Sequence, residues 1–406
     1  MSTFADVKHL ADRVRQFLLA ATIMIGAAFV VPASAQTEGD SVELSLLTCT
    51  PNQKIYGLYG HTAIRLHYIN NGADWAFNYG VFNFKTSFFA LRFLFGLTDY
   101  ELAVMPMEYF RQEYTRMKCR VTEQVLNLTP AEKARMVAAL EENYLPQNRV
   151  YRYNYFYDNC TTRARDMIER NVDGKVDYGY PNNGTDKEPS YREMVHAHTA
   201  QHPWAALGND LCLGFKADRP TTWREQQFLP ENLMRDLSKA KFVSPNGEER
   251  PAVAATNIIV EGGTQVVEKE FPLTPTESAA LLLAITLFVS AFELKRHKTL
   301  RLYDTLIMAL QGVSGIILTA MFFSEHPTTS TNLQILLLNP IPLFFLHKAL
   351  KGKARVWWKT ETVLIMVFVV GAFLQDYAEG MEIVALCLLL RCAMHLYAGR
   401  ALHVKE

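Results

Sequence analysis

The chain reads as an exported α+β domain followed by an all-α bundle of five transmembrane helices, and three features of its 406 residues say so. Lys8, Arg13 and Arg15 precede an apolar run from Phe17 to Val31 and then Ala33-Ser34-Ala35. That is the three-part order of a secretory signal, with cleavage expected before Gln36. Residues 36–265 mix strand-like and helical stretches with ordinary charge. Residues 266–406 hold five apolar segments of spanning or near-spanning length: Thr276–Leu294, Leu302–Phe323, Asn332–His347, Thr360–Leu374 and Met381–Tyr397.

The loops of this tail sort by charge. Lys295, Arg296, Lys298 and Arg301 follow the first span, and Lys348, Lys351, Lys353, Arg355 and Lys359 follow the third. The loops after the second and fourth carry only Glu325, Asp376 and Glu379. Positive charge stays on the cytoplasmic side, so the loops after spans one and three face the cytoplasm, as does the C-terminus. Residues 36–265 then lie outside, as the signal also requires, which places them in the periplasm on a bacterial inner membrane. The third span is irregular. Asn332 and Asn339 are spaced to share a helix face, and Pro340 and Pro342 interrupt it. Polar groups at membrane depth face protein or a wet cavity, so both helix–helix bonding and a substrate role stand open. His326 and Pro327 fall just outside this span, with Asp376 at the same level.

Within the exported part, Val42–Leu47, Thr62–Tyr68 and Trp75–Val81 have strand character. Asn70-Asn71-Gly72 makes a hairpin of the last two. Thr129-Pro130-Ala131-Glu132 is a capping box with proline at the first helical position; its helix carries Val137, Leu140 and Tyr144 on one face and stops before Pro146. A second helix is expected to begin near Cys160, with Ala164, Met167 and Ile168 on its face. Residues 181–190 read as a loop and residues 251–275 as a linker. The formal net charge is zero, which argues against a nucleic-acid partner.

Two stretches carry the chemistry. In Tyr59-Gly60-His61-Thr62-Ala63-Ile64-Arg65 a histidine opens a strand, and in Asp158-Asn159-Cys160-Thr161-Thr162-Arg163 a cysteine opens a helix. Capping by Asn159 or Asp158 leaves Cys160 in the first turn, where the helix dipole favours thiolate. A thiolate facing an imidazole is the minimal group for covalent acyl transfer. The hairpin brings Asn78 near His61, where its amide is suited to hold the ring or simply to serve the sheet. Against this stands the disulfide reading, because Cys49, Cys119, Cys160 and Cys212 all lie in the exported part. With Cys160 free, at most one pair forms among the other three. His196-Ala197-His198 with His202 has a spacing that zinc accepts, though such clusters are more often solvated.

The resemblance to a family adds to these residues. Leu46-Leu47-Thr48-Cys49-Thr50-Pro51, the Gly60-His61 stretch, Asn78-Tyr79-Gly80-Val81-Phe82 and the Asn159-Cys160 stretch resemble the Lnb-type periplasmic domain. So do Asp210-Leu211-Cys212-Leu213-Gly214, Ala217-Asp218-Arg219 and Phe228-Leu229-Pro230, and His326-Pro327, Asn332 and Asn339-Pro340 are similar to the family's membrane part. Asn52-Gln53 departs from the pattern, where a glycine is expected after the proline. The resemblance implies a circularly permuted papain-like domain in which histidine precedes cysteine. It also implies a lipoprotein N-acyltransferase that needs no cofactor or metal. Cys160 is then the nucleophile and His61 the base; the resemblance does not settle the third member, for which Asn78 is the candidate that the hairpin offers. Tyr79, Arg65, Arg163, His326, Asn332 and Asn339 are the candidate substrate-binding residues. The donor implied is a membrane phospholipid and the acceptor a diacylated lipoprotein. A cell-wall cysteine peptidase or amidase, and a non-catalytic assembly factor tethered to the membrane, are the alternatives.

Overall fold

The computed structural model describes residues 41–82, 87–88, 91–92, 95–180, 188–267 and 271–398. The expected signal at 1–35 and most of the expected loop at 181–190 lie outside the described residues. In chain order the first domain holds strands β1 Val42–Cys49, β2 His61–Tyr68, β3 Asp74–Val81 and β4 Asp99–Pro106, then helix α1 Met107–Arg116. Next come β5 Val121–Leu126, α2 Pro130–Tyr144, β6 Val150–Arg152, α3 Cys160–Asn171 and β7 Lys175–Asp177. Helices α4 Tyr191–Thr199, α5 Pro203–Cys212 and α6 Pro230–Leu237 follow, then strands β8 Lys241–Val243, β9 Glu249–Pro251 and β10 Val253–Val260.

Seven strands form one antiparallel sheet in the order β10-β5-β1-β2-β3-β4-β6, and β7-β8-β9 form a small second one. Strand side chains alternate between faces, and both faces of the central strands are covered. Leu44, Leu46, Ile64, Leu66 and Phe77 pack with Ala164 and Ile168 of α3 and with residues of α2. The alternate residues Leu47, Cys49, Ala63 and Ala76 pack with Met107, Phe110 and Tyr114 of α1. This is why β1 and β2 are buried along most of their length, their polar residues included.

The expected hairpin is present: β2 pairs with β3, and Tyr68 N–H donates to Ala73 O at 2.8 Å across the Gly72 turn. So is the α2 capping box, with Thr129 and Glu132 satisfying each other's backbone N–H. The expected linker at 251–275 is corrected in its first third. Residues 253–260 form β10, an edge strand on β5. Its Val-Ala-Ala-Thr-Asn-Ile-Ile-Val is β-prone in composition, but its exposed outer face lacks the apolar alternation that marks a strand.

The C-terminal region holds α7 Pro275–Arg296, α8 Arg301–Phe322, a broken segment over residues 333–350 that ends in α9 Leu346–Leu350, then α10 Arg355–Gly371 and α11 Met381–Ala393. Among the described residues, Pro275–Arg296, Arg301–Phe322 and Leu333–Leu350 are long and apolar enough to cross a membrane. Helices α10 and α11 have 17 and 13 residues. Exposed Phe288, Leu310 and Val363 give these helices an apolar outer surface, as lipid contact requires. Inside, Arg391 reaches Glu293 at 2.8 Å, Asp304 at 2.7 Å and Ser290 at 2.9 Å, tying α7, α8 and α11 together at their Lys- and Arg-flanked ends. The third segment is broken, as its prolines and asparagines predict, into short 3-10 turns at Leu333–Leu336 and Ile341–Phe345.

That broken segment joins the two regions. Gln334 Nε2 donates to Asp210 O at 2.7 Å, Asn332 Nδ2 to Leu211 O at 2.8 Å and Gln375 Nε2 to Leu213 O at 3.3 Å. Gly214 N–H donates to Thr328 O at 2.8 Å. The backbone of residues 210–214 is thus held by groups from the apolar region.

Candidate active site

Helix α3 begins where Asn159 stops the extended chain. Asn159 Oδ1 accepts the N–H groups of Thr161 and Thr162, both at 2.9 Å, and Thr162 Oγ1 accepts Asn159 N–H at 2.8 Å. Asn159 Nδ2 donates to the carbonyls of Tyr155 and Phe228, each at 2.9 Å. One buried amide therefore fixes the helix start and ties it to the segment before α6. In this first turn the Cys160 N–H is left with no acceptor among the described residues. Replacing Asn159 by alanine is expected to cost about 2 kcal/mol of stability, the upper end for a cap, since two further carbonyls lose their donor. A urea melt of the variant checks this.

Strand β2 begins at His61 because Gly60 precedes it. Gly60 has φ +76°, and a Cβ there would stand 2.6 Å from Cys49 O, so only glycine fits. In the register Cys49 faces His61 and Ala63 faces Asn78, which sets His61 and Asn78 on the same sheet face. His61 Nε2 lies 3.1 Å from Asn78 Oδ1. An amide oxygen only accepts, so Nε2 carries the hydrogen and Nδ1 remains to exchange a proton with Cys160. Tyr114 of α1 lies nearly parallel to the imidazole, 11° between planes and 6.4 Å between centroids.

The sulfur and the imidazole act on each other's charge, each favouring the ionised form of the other. Cys160 is 9% exposed. Its sulfur also receives Thr62 N–H, and Thr161 Oγ1 lies 3.8 Å away. Thr161 is itself held by Thr62 Oγ1 at 3.0 Å. Gly80, at φ +85°, lets the sheet approach: a Cβ there would be 3.7 Å from Cys160 Cβ. Burial alone pushes the Cys160 thiol up, but the His61 charge, its hydrogen bond, Thr62 N–H and Thr161 outweigh that, and the thiol lies below its ordinary value. Burial alone pushes His61 down; the Cys160 charge and hydrogen bonds from Cys160 and Asn78 reverse this, and the imidazole lies above its ordinary value. Both shifts favour the thiolate–imidazolium form of the pair over the neutral one.

The other expected site residues divide. Arg163 lies one turn along α3, paired with Asp158 at 2.6 and 2.8 Å and seated 3.5 Å over the Tyr151 ring. Tyr79 is 1% exposed, in the core, with its hydroxyl on Asn143 Oδ1 at 2.8 Å. The Arg65 guanidinium is engaged by Asp74 at 2.7 and 2.8 Å and by Glu123 at 2.6 Å. His326 lies beside Gly96, in the turn after α8. Asn332 and Asn339 do not share a helix face, because the helix is broken there. Asn332 bonds Leu211, Gln334 and Gln375, and Asn339 Oδ1 accepts Ile341 N–H at 3.2 Å. The structure thus gathers Cys160, His61, Asn78 and Arg163, and leaves Arg65, Asn332 and Asn339 in separate networks. Thr62, Gly80 and Tyr151 were not singled out from sequence; their contribution depends on strand register, which no local pattern carries.

The three spaced histidines go to different partners: His196 to Asp210 at 2.8 Å, His198 to Met194 O at 2.9 Å and Glu231, and His202 to Gln53 at 2.8 Å. All six cysteines are free thiols. Cys49 and Cys119 are buried on the α1 face, where burial pushes both thiols up, opposite to Cys160.

A buried thiol–imidazole–amide group in an α/β domain, gripped by an apolar helical region, defines a membrane protein with a reactive site outside its helical bundle. The chain belongs to the Lnb-type family. It matches the family models for the Lnb N-terminal periplasmic domain over residues 30–194 and the Lnb transmembrane domain over residues 266–401. It is thus a membrane protein with a periplasmic domain. No curated protein and no solved structure matches the chain.

Proposed function

We propose that the protein is a lipoprotein N-acyltransferase of the bacterial inner membrane. In this reading residues 36–265 form a circularly permuted papain-like catalytic domain in the periplasm, and residues 266–406 form five spans. The observation that carries it is the arrangement of Cys160, His61 and Asn78: a thiol at a helix start, coupled electrostatically to an imidazole whose Nε2 is held by an amide oxygen at 3.1 Å.

The thiolate of Cys160 attacks the acyl ester carbon of a glycerophospholipid. The C–S bond forms as the carbonyl π pair moves onto oxygen, and the unpaired Cys160 N–H is the natural donor to that oxyanion. The oxyanion collapses, the C–O bond to glycerol breaks, and His61 protonates the departing alkoxide, releasing a lysophospholipid. The amine of a diacylglyceryl-cysteine at a lipoprotein N-terminus then attacks the thioester. His61 takes the amine proton, the C–S bond breaks, and an amide leaves Cys160 as thiolate. Asn78 keeps the imidazole in the tautomer both steps use.

Two features favour membrane lipids as substrates. The periplasmic domain is bonded through residues 210–214 to the apolar region, which supports a site that works at the bilayer. A row of aromatic rings also runs from the site: Tyr153 stacks on Tyr100 at 4.2 Å, and Tyr100 meets Phe82 at 5.0 Å. In this reading Arg163, one turn along from Cys160, and His326, in the turn after α8, are the groups that would meet lipid phosphate. The test is mass spectrometry of a lipoprotein's N-terminal peptide from cells lacking the gene. The amide-linked acyl chain is expected to vanish and to return with the wild-type gene. An unchanged peptide in the deletion strain refutes the reading and brings forward cell-wall peptide cleavage.

A further inference from the structure

Buried hydroxyls in folded proteins almost always have a partner, so one that lacks it beside a reactive thiol requires an explanation. Tyr151 is such a residue. It is 7% exposed, and its hydroxyl has no hydrogen-bond partner among the described residues. The neighbouring Tyr79, also buried and in the same core cluster, does have one, in Asn143. Strand β6 sets the Tyr151 ring against the first turn of α3, where the Arg163 guanidinium covers its face at 3.5 Å. A side chain begun on Gly80 would meet Cys160 Cβ at 3.7 Å and Tyr151 Oη at 3.9 Å. The small space that glycine leaves open is therefore shared by the reactive cysteine and the orphaned hydroxyl.

We propose that Tyr151 is a further catalytic residue, whose hydroxyl donates a hydrogen bond to the oxyanion formed when Cys160 attacks an acyl carbonyl. The inference rests on acyl transfer at Cys160. It supplies the second donor of an oxyanion hole whose first is the Cys160 N–H. The phenol keeps its proton throughout the working range, since burial and then the Cys160 charge push it well up. Arg163 over the ring draws electron density from the phenol and strengthens it as a donor. Atoms balance without a proton transfer: Tyr151 only donates a hydrogen bond, and His61 moves the protons.

The test compares two reactions of the full-length protein in nanodiscs. Acylation of Cys160 builds an oxyanion, whereas alkylation by iodoacetamide, a displacement at a saturated carbon, builds none. Acylation is followed with a phospholipid bearing a labelled acyl chain and, separately, with p-nitrophenyl hexanoate. In Tyr151→Phe, which keeps the ring and its stacking, acylation is expected to slow by about 10²–10³-fold. Alkylation is expected to keep its wild-type rate and pH profile. Acylation at the wild-type rate overturns the proposal, and so does an equal loss of both reactions, which would make Tyr151 a support for the thiol. If the wild type takes an acyl group from the activated ester but never from phospholipid, the donor reading fails, while the tyrosine comparison still decides this proposal.

Discussion

Cys160→Ala is expected to abolish acyl transfer, with a rate loss on the order of 10⁴-fold or more, and His61→Ala to slow it by about 10³–10⁴-fold. In the proposed mechanism the first loses the group that carries the acyl chain between donor and acceptor. The second loses a proton donor, a proton acceptor and the charge that holds the sulfur as thiolate. Trapping of a hydroxylamine-labile acyl label on the protein measures both. The pH dependence follows from the two opposed shifts. The thiol lies below its ordinary value, so the thiolate holds as pH falls until that lowered value is crossed. The imidazole lies above its ordinary value, so the leaving group can be protonated until pH rises through that raised value. Acylation should trace a bell between the two macroscopic values of the pair. In His61→Ala the largest opposing influences are gone and burial acts on the sulfur against Thr62 and Thr161 alone. The alkylation midpoint should then move upward past the ordinary thiol range, and alkylation at pH 7 should drop. An alkylation profile that does not move would show that the dipole and Thr62 hold the thiolate without His61.

The short-range features of the fold were legible because their signals are local. Asn159 before Cys160, the Thr129–Glu132 box and the Asn70-Asn71-Gly72 turn each specify their geometry within a few residues, and each is where the sequence predicts. The Cys160–His61 pair was also legible, since glycine before a strand and asparagine before a helix are signatures of a residue presented at an element's end. Asn78 followed from the hairpin register. What stayed hidden depends on partners far along the chain. Asn332 reads from sequence as a polar group for helix–helix bonding or for substrate, yet its amide meets Leu211 O, 121 positions earlier in the chain. Arg65 beside the histidine motif looked like a substrate group, yet Asp74 and Glu123 from neighbouring strands occupy its guanidinium. Strand β10 was hidden because an exposed edge needs no apolar alternation. Tyr151 was hidden because an orphaned hydroxyl is visible only once every neighbour is placed.

The largest stability effect is expected at Arg192, a residue with no chemical role in acyl transfer. It is 1% exposed on α4, with Nη1 on Asp210 Oδ1 at 2.7 Å, Nε on Asp218 Oδ1 at 2.5 Å and Nη2 on Leu213 O at 3.0 Å. These anchors hold residues 210–218, whose carbonyls at 210, 211 and 213 accept Gln334, Asn332 and Gln375 from the apolar region. Arg192→Ala leaves Asp218 without its cation and Asp210 with His196 alone, and a buried pair that loses one member costs about 3–5 kcal/mol. The melting temperature should fall by on the order of 10 °C. Arg192→Lys keeps the charge but not the planar fork, and should recover only part of the loss. The sharper readout is positional. A structural effect confined to the α4 layer would lower the melting temperature and leave the two regions docked. If instead this guanidinium sets the joint, Arg192→Ala should also expose residues 213–215 to protease in nanodiscs and slow acylation from phospholipid more than from a soluble activated ester. Acylation falling equally with both esters would mean that the joint plays no part in presenting lipid to Cys160.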